Sequence, residues 1–454
     1  MPPCPGLGGR RRHGRHALAG LLLAVLTAGC ASGPIATPSL DPGASLTAPP
    51  SAPGASGSLL PTSSPAPSGS PAASPSPRPA TLPSGLSTDG PLPQLTGLSA
   101  ALQAQLAADV RKLHLPGIQA TILLSDGESW SGAAGFADVE AGRRMTTADV
   151  FDVGSITKTF VAADVMRLVE TGTLRLDDPL ARWVPTYPGA ASITIRELLD
   201  HTSGLADYFS NEKLLIRLGA STRTAWQPAA LLPYVGKPLF APGTDWAYSN
   251  TNYLLLGEVI TAATGRTAGA DLAARFLGPL SLRSTALQSG TTAAPAPALG
   301  PLAHPYERQA GPKVAYRDLA DGSGYLPFTS LATSLDAAGS LVSTSADLAR
   351  WAADLYGGSV LSAPSLAAME DTSVSAPYKP RFIYGLGAQR LALAGFTSYG
   401  HGGACSGYRA AMRYFPLLGA SIVVLTNIDG PDPDTVVGQL MALITTARGG
   451  PSRA

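Results

Sequence analysis

Between residues 34 and 93 the chain holds 16 prolines and no Phe, Tyr or Trp, and its only charges are Asp41, Arg78 and Asp89. So little apolar bulk cannot offset the entropy lost on ordering, so this stretch is expected to stay disordered. Proline keeps such a segment extended, at about 3.1 Å per residue in polyproline II form. Residues 30–94 are therefore read as a Pro/Ser/Ala/Gly-rich tether, and folding is confined to the residues beyond it. From Leu95 to about Arg448 the composition is globular. A chain of 454 residues suggests two or three domains; the tether reduces this to one folded unit of about 350 residues.

The first thirty residues read as an address. Arg10, Arg11, Arg12 and Arg15 precede an apolar run from Ala17 to Leu26, and Thr27-Ala28-Gly29-Cys30 follows. A basic stretch, a short apolar core and small residues make an export signal. The run is shorter than the roughly 20 residues that span a bilayer. Small residues ending at a cysteine resemble a bacterial lipobox, with residues 1–29 as signal and Cys30 as the lipidated first mature residue. A conventional signal peptide and an uncleaved anchor are the alternatives. The expected location is the outer face of the bacterial cytoplasmic membrane, held by lipid, or outside the cell if the lipobox is unused.

The charge balance excludes other roles. Lys+Arg number 32 against 31 Asp+Glu, and loss of the signal leaves 28 against 31. Near-neutral charge gives no electrostatic case for binding nucleic acid. Three cysteines cannot build a disulfide framework. Six histidines contain no metal-binding pair, so no metal or cofactor is expected. A monomer is expected.

Apolar spacing from Leu98 to Leu113 predicts a helix. Gly117 to Leu124 and Glu128 to Phe136 read as a hairpin around Ser125-Asp126-Gly127. Tyr408 to Phe415 and Ala420 to Asn427 read as two further strands, with a closing helix from Thr435 to Ala447. Ser155 to Glu170 is apolar on most faces and reads as a buried helix. Thr344-Ser345-Ala346-Asp347 reads as a capping box that starts a helix ending near Gly357. Residues 289–327 are rich in Gly, Pro and Ala and read as an irregular rim. Strands at both ends with helices between them predict an α/β fold. It is an antiparallel sheet flanked by terminal helices, about 95–150 and 338–448, with an inserted all-helical region, about 151–337.

Ser155-Ile156-Thr157-Lys158 opens the buried helix. Residues three apart share one face. A helix start offers free amides and a favourable dipole to a developing anion. A lysine in an apolar site has its ammonium form disfavoured, so it can accept a proton. Together these make a nucleophile without a histidine triad. Ser210-Asn211-Glu212-Lys213 has the same spacing but reads as a solvated helix start. The chain also holds one Tyr-x-Asn, Tyr248-Ser249-Asn250, and one His-x-Gly, His401-Gly402-Gly403.

These three motifs, in this order, resemble the beta-lactamase-related serine hydrolases. So do the segments Ile193 to Leu205, Pro242 to Asn250 and Gly400 to Gly403. That family includes class C beta-lactamases, D-alanyl-D-alanine carboxypeptidases and esterases. The resemblance covers about residues 95–447. It implies a mixed sheet flanked by helices, with the site in a cleft beside the helical region. It implies Ser155 as acylated nucleophile, Lys158 as its proton acceptor, and Tyr248 as general base or proton shuttle. It implies that Asn250 bonds Lys158 and the substrate amide. It implies that the backbone amides of Ser155 and Ala404 form the oxyanion hole, that His401 belongs to the catalytic set at the substrate-anchoring position, and that Gly402 and Gly403 bind substrate. Trp246 either lines the cleft or packs. His201 and Ser203 are expected to shape the helical region, and Asp177 and Asp178 to cap or turn the chain. Cys405 is either a small buried residue or a modifiable thiol.

Beta-lactamases usually carry Lys-Thr-Gly where this chain has His401-Gly402-Gly403. A histidine that titrates near pH 6.5, with no neighbouring hydroxyl, predicts weak and pH-dependent binding of a substrate carboxylate. No Glu-x-x-x-Asn and no Gly-x-Ser-x-Gly occurs. The first expectation is a D-alanyl-D-alanine carboxypeptidase-like hydrolase of small peptides or esters, a peptidoglycan stem peptide among them. An esterase or D-aminopeptidase is the alternative, with a true beta-lactamase behind it. A non-catalytic lipoprotein that binds cell-wall peptides is the alternative of a different class.

Overall fold

The structure, a computed structural model, describes Leu95 and residues 97–447, apart from 291–293, 312–313, 374 and 376–381. The expected export signal, Cys30 and the tether up to residue 94 lie outside the described residues. One sheet of eight strands organises the rest. In chain order these are β1 (Gly117–Leu124), β2 (Ser129–Asp138), β3 (Arg143–Arg144), β4 (Phe382–Tyr384), β5 (Gln389–Leu393), β6 (Phe396–Cys405), β7 (Tyr408–Phe415) and β8 (Ala420–Thr426). Their order across the sheet is β3-β2-β1-β8-β7-β6-β5-β4, antiparallel throughout. The first and last strands of the chain's sheet thus meet at its centre, where Ile118 pairs with Thr426 and Leu124 with Ala420.

Side-chain alternation gives each central strand two apolar faces. Ile118, Ala120, Ile122 and Leu124 of β1 point to one core, with Ile422 and Val424 of β8. The helices α1 (Ser99–Leu113) and, at the other end of the chain, Asp434–Ala447 cover that face through Leu102, Leu106, Val437 and Leu440. Val423, Leu425, Ala410 and Met412 face the other core. Full burial of one such aliphatic side chain contributes about 1.5–3 kcal/mol. The strands read from sequence over Gly117–Leu124 and Tyr408–Phe415 occur with those bounds.

The helix α2 (Thr157–Glu170) runs through the second core, buried on nearly every side from Thr157 to Met166. Phe160 stacks on Trp351 with centroids 3.9 Å apart, and Arg275 reaches Asp164 at 3.0 Å. It packs against α3 (Asn250–Thr264), whose C-cap Gly265 has φ 72. Helix α4 (Ser345–Tyr356) lies on the same face of the sheet. Only half of its expected capping box forms. Thr344 accepts from the Asp347 amide, but the Asp347 carboxylate turns to the Ser284 amide and the Thr285 hydroxyl, both at 2.8 Å. The inserted region is mostly helical, but it holds two small sheets. Leu341–Ser343 pairs with Phe151–Asp152 and Ala286–Leu287, and Tyr306–Arg308 pairs with Tyr316–Asp318 inside the expected irregular rim.

Candidate active site

Ser155, the expected nucleophile, lies in a short turn just ahead of α2. Asp152 ends its short strand and accepts from the Gly154 amide at 2.8 Å. Gly154 takes φ 52, and Gly154–Ile156 forms a 3-10 turn that feeds α2. Thr157 Oγ1 donates to Gly154 O at 2.7 Å and accepts from the Leu341 amide at 3.0 Å. The turn that presents Ser155 is thus tied to the adjoining strand.

Lys158 is fully buried. Its Nζ lies 3.3 Å from Ser155 Oγ and 2.8 Å from Asn250 Oδ1, and it donates to the Ala338 carbonyl. The ring centroids of Tyr248 and Tyr253 lie 4.9 and 5.3 Å from the same nitrogen. Asn250 begins α3, which explains why a tyrosine and an asparagine two apart both reach this lysine. On its other side Asn250 Nδ2 donates to Asp207 Oδ2 at 2.8 Å.

Strand β6 forms the facing wall. A Cβ on Gly403 would stand 2.0 Å from Val153 O, and one on Gly154 would stand 2.7 Å from Ala404 N. The two backbones touch, and only glycine allows it. The Gly402 amide donates to Gln389 Oε1 at 3.1 Å, toward β5. Amides two apart on a strand share a side, so the Ala404 amide points the same way. Strand β5 pairs no further along β6 than Gly400, and the Ser155 turn stands there instead. The expected oxyanion pair, Ser155 and Ala404, is therefore brought together.

His401 departs from expectation. It is 1% exposed. Its Nδ1 lies 2.5 Å from Gly402 O and its Nε2 2.9 Å from the Tyr384 hydroxyl. A carbonyl can only accept, so the proton sits on Nδ1 and Nε2 accepts from Tyr384. Burial, with the Lys158 charge adding to it, pushes its pKa down to about 3. The expected titration near pH 6.5 is therefore corrected: His401 is neutral at physiological pH and offers no charge to a substrate carboxylate. Its ring stands 6.3 Å from that of Tyr248.

The segment before the site supports Tyr248 and Asn250. Thr194 and Glu197 form a reciprocal capping box on the helix Ile195–Leu199. The Glu197 carbonyl then accepts from the Thr202 and Ser203 amides, both at 3.1 Å, and His201 takes φ 66. His201 Nδ1 accepts from the Ser249 amide at 3.2 Å and faces Asn252 Nδ2 at 2.9 Å. Its ring lies 4.4 Å from Tyr248. Burial holds the His201 pKa well below the usual range, with Lys158 and His401 adding to the effect. Ser203 donates to Asn252 Oδ1 at 2.6 Å. Trp246 is 9% exposed and packs beside His201 and Tyr384 at 5.9 and 6.0 Å. Asp178 turns the chain by accepting from the Arg175 amide at 2.9 Å. Lys213 is the exposed second residue of the helix Glu212–Ala220, whose N-cap Asn211 accepts from the Lys213 amide.

Cys405 follows Ala404 and is buried. Burial, then the Asp152 charge, pushes its thiol well above the usual range, and it hydrogen-bonds Asp152. Of the two readings open for it, the buried residue is the one the packing supports. Asp207, Tyr384, Gln389 and the Ala338 carbonyl escape a reading of sequence alone. Only Asp207 has a signal there, two residues beyond Leu205 at the end of the Ile193 to Leu205 segment.

A family model described as Beta-lactamase matches residues 100–446. Esterase EstB of Burkholderia gladioli is 36% identical over 199 residues, covering 41% of this chain and 50% of the esterase. A D-aminopeptidase of Cereibacter sphaeroides is 27% identical over 306 residues, 65% of this chain and 54% of that protein. The chain thus spans about half the length of these curated relatives. Among solved structures, a D-stereospecific amidohydrolase from Streptomyces sp. superposes with a TM-score of 0.65 at 29% identity. It covers 76% of this chain and 99% of its own.

Proposed function

Because this chain belongs to the beta-lactamase family, we propose that it hydrolyses small esters or D-configured amides through an acyl-enzyme on Ser155. The observation that carries this is the placement of Lys158 Nζ at 3.3 Å from Ser155 Oγ, with acceptors on its other sides. In the first step Ser155 Oγ bonds the substrate carbonyl carbon, and its proton passes to Lys158 Nζ. The carbonyl electron pair moves to oxygen, where the Ser155 and Ala404 amides hold it. Collapse expels the alcohol or amine, which takes the proton held by Lys158 by way of Tyr248 and leaves the lysine neutral again. Water then repeats the sequence on the acyl group, releases the acid and restores Ser155.

The relatives lean toward this reading, since their names describe an esterase, a D-aminopeptidase and a D-stereospecific amidohydrolase. A D-alanyl-D-alanine carboxypeptidase must also grip a terminal carboxylate, and the neutral His401 gives it no charge for that. A fluorophosphonate probe tests the core of the proposal. It is expected to label wild type on Ser155 and to leave Ser155→Ala unlabelled; equal labelling of the two sinks it. On a panel, p-nitrophenyl butyrate and D-phenylalanine amide are expected to turn over faster than a D-alanyl-D-alanine dipeptide with a free carboxylate.

The same proposal places the enzyme outside the cytoplasm, held by lipid on Cys30. A Cys30→Ala protein is expected to leave the membrane fraction. Its continued sedimentation with membranes at the wild-type level would refute the anchor.

A further inference from the structure

Lys158 must lose a proton before it can take one from Ser155. As a neutral amine it has two N–H bonds and one lone pair. Two of its neighbours, Ala338 O and Asn250 Oδ1, can only accept. If both are filled by the two N–H bonds, the lone pair is left facing Ser155 Oγ. The Ala338 carbonyl is fixed by the backbone. The Asn250 amide is not: turned over, it would present Nδ2 to the lysine and the aim would be lost.

We propose that Asp207 is the positioning residue that fixes which end of the Asn250 amide meets Lys158. A carboxylate offers no proton, so it can bind only the Nδ2 end, and the 2.8 Å contact from Asn250 Nδ2 to Asp207 Oδ2 does so. The other carboxylate oxygen accepts from the Phe209 amide at 2.9 Å, which leaves the side chain one orientation. The backbone on both sides of Asp207 is fastened next to Asn250. Thr251 Oγ1 donates to Ala206 O at 2.7 Å and accepts from the Tyr208 amide at 3.1 Å. Carboxylate and amide are therefore held in register over 43 residues of intervening chain. Burial raises the Asp207 carboxyl above its ordinary range, and its Phe209 and Asn250 contacts and the Lys158 charge oppose that rise.

The inference rests on the acyl-enzyme reading of Ser155 and deepens it. The groups around Lys158 that bear on its protonation are Asp207 beyond Asn250, the Tyr248 and Tyr253 rings, and the neutral His201 and His401. Asp207 is the carboxylate in this set, and it favours the ammonium form. Tyr208 adjoins it and is held protonated by burial, then by the charges of Asp207 and Asp336.

The test is Asp207→Asn, read by fluorophosphonate labelling and by kcat/KM for p-nitrophenyl butyrate against pH. The new amide keeps the Phe209 cap through its oxygen, since asparagine caps as well as aspartate. It then presents NH2 to Asn250, which turns over and aims its own NH2 at Lys158. We expect kcat/KM to fall by about 10- to 100-fold, mostly in kcat. The acid limb should move to lower pH, because the carboxylate that favours the ammonium is gone. Asp207→Asn/Asn250→Asp restores an acceptor toward Lys158 and a donor behind it. It is expected to recover activity relative to Asp207→Asn, with the acid limb above that of wild type, because the carboxylate now touches the lysine.

A wild-type rate and limb in Asp207→Asn overturns the proposal. So does a loss of activity without any shift of the limb, which a mere turn-capping role would give. If Asp207→Asn does not fold, the double variant decides by the same limb shift, and a folded double variant with an unmoved limb overturns the proposal. Equal labelling of wild type and Ser155→Ala is a separate result, since it removes the serine reading and with it the positioning proposal, whatever the limb does.

Discussion

Lys158→Met is expected to lower kcat/KM by about 100- to 10,000-fold, the range a positioned proton acceptor supplies, and to slow fluorophosphonate labelling of Ser155 in parallel. Methionine matches lysine closely in length and has no polar end. It fits between the Tyr248 and Tyr253 faces that now flank Nζ at 4.9 and 5.3 Å, and sulfur packs well on aromatic rings. The variant is therefore expected to fold. What it loses is the donor to Asn250 Oδ1 and Ala338 O and the acceptor for the Ser155 proton. Circular dichroism and thermal melting check the fold, and steady-state kinetics check the chemistry. A folded Lys158→Met with the wild-type kcat/KM would hand the proton to Tyr248 instead and overturn the lysine's role as proton acceptor.

The parts of this site that are legible in the sequence are those whose chemistry repeats at short spacing. Ser155 and Lys158 lie three apart at the entrance of a helix that an apolar pattern marks, and Tyr248 and Asn250 lie two apart. The central strands are legible because every residue of β1 is buried and their ends are marked by turns. The illegible parts act across the fold. The Ala338 carbonyl meets Lys158 across 180 residues, and a backbone oxygen leaves no trace in residue type. Asp207 meets Asn250 across 43 residues, and an aspartate after a turn has the common explanation of a cap, which it also is. The third motif implies a neutral His401 above about pH 6.5 but not how far below that its titration lies. The neutrality of His401 comes from complete burial, with the Lys158 charge adding to it, and the residue types of the motif do not reveal it.

The glycines of the third motif lead to the other large effect. Gly403→Ala is expected to lower kcat by about 100- to 1,000-fold, the loss typical of one oxyanion donor. The added Cβ would stand 2.0 Å from Val153 O and 3.0 Å from Val153 C. Both are backbone atoms, so neither can swing aside as a side-chain tip could. Val153 leads directly into Gly154 and Ser155, and its amide is held to Leu341 O at 3.0 Å. The strain must therefore part β6 from the nucleophile's turn, and that movement separates the Ser155 and Ala404 amides. Two fixed donors act on charge that exists only in the transition state. Their loss is thus expected in kcat and kcat/KM alike, with KM little changed. Gly438→Ala, a methyl added on the closing helix with its nearest neighbour at 3.9 Å, controls for the substitution itself and is expected to keep wild-type kinetics. A Gly403→Ala protein that folds and turns over p-nitrophenyl butyrate like wild type would show that the contact between these two backbones does not set the oxyanion hole.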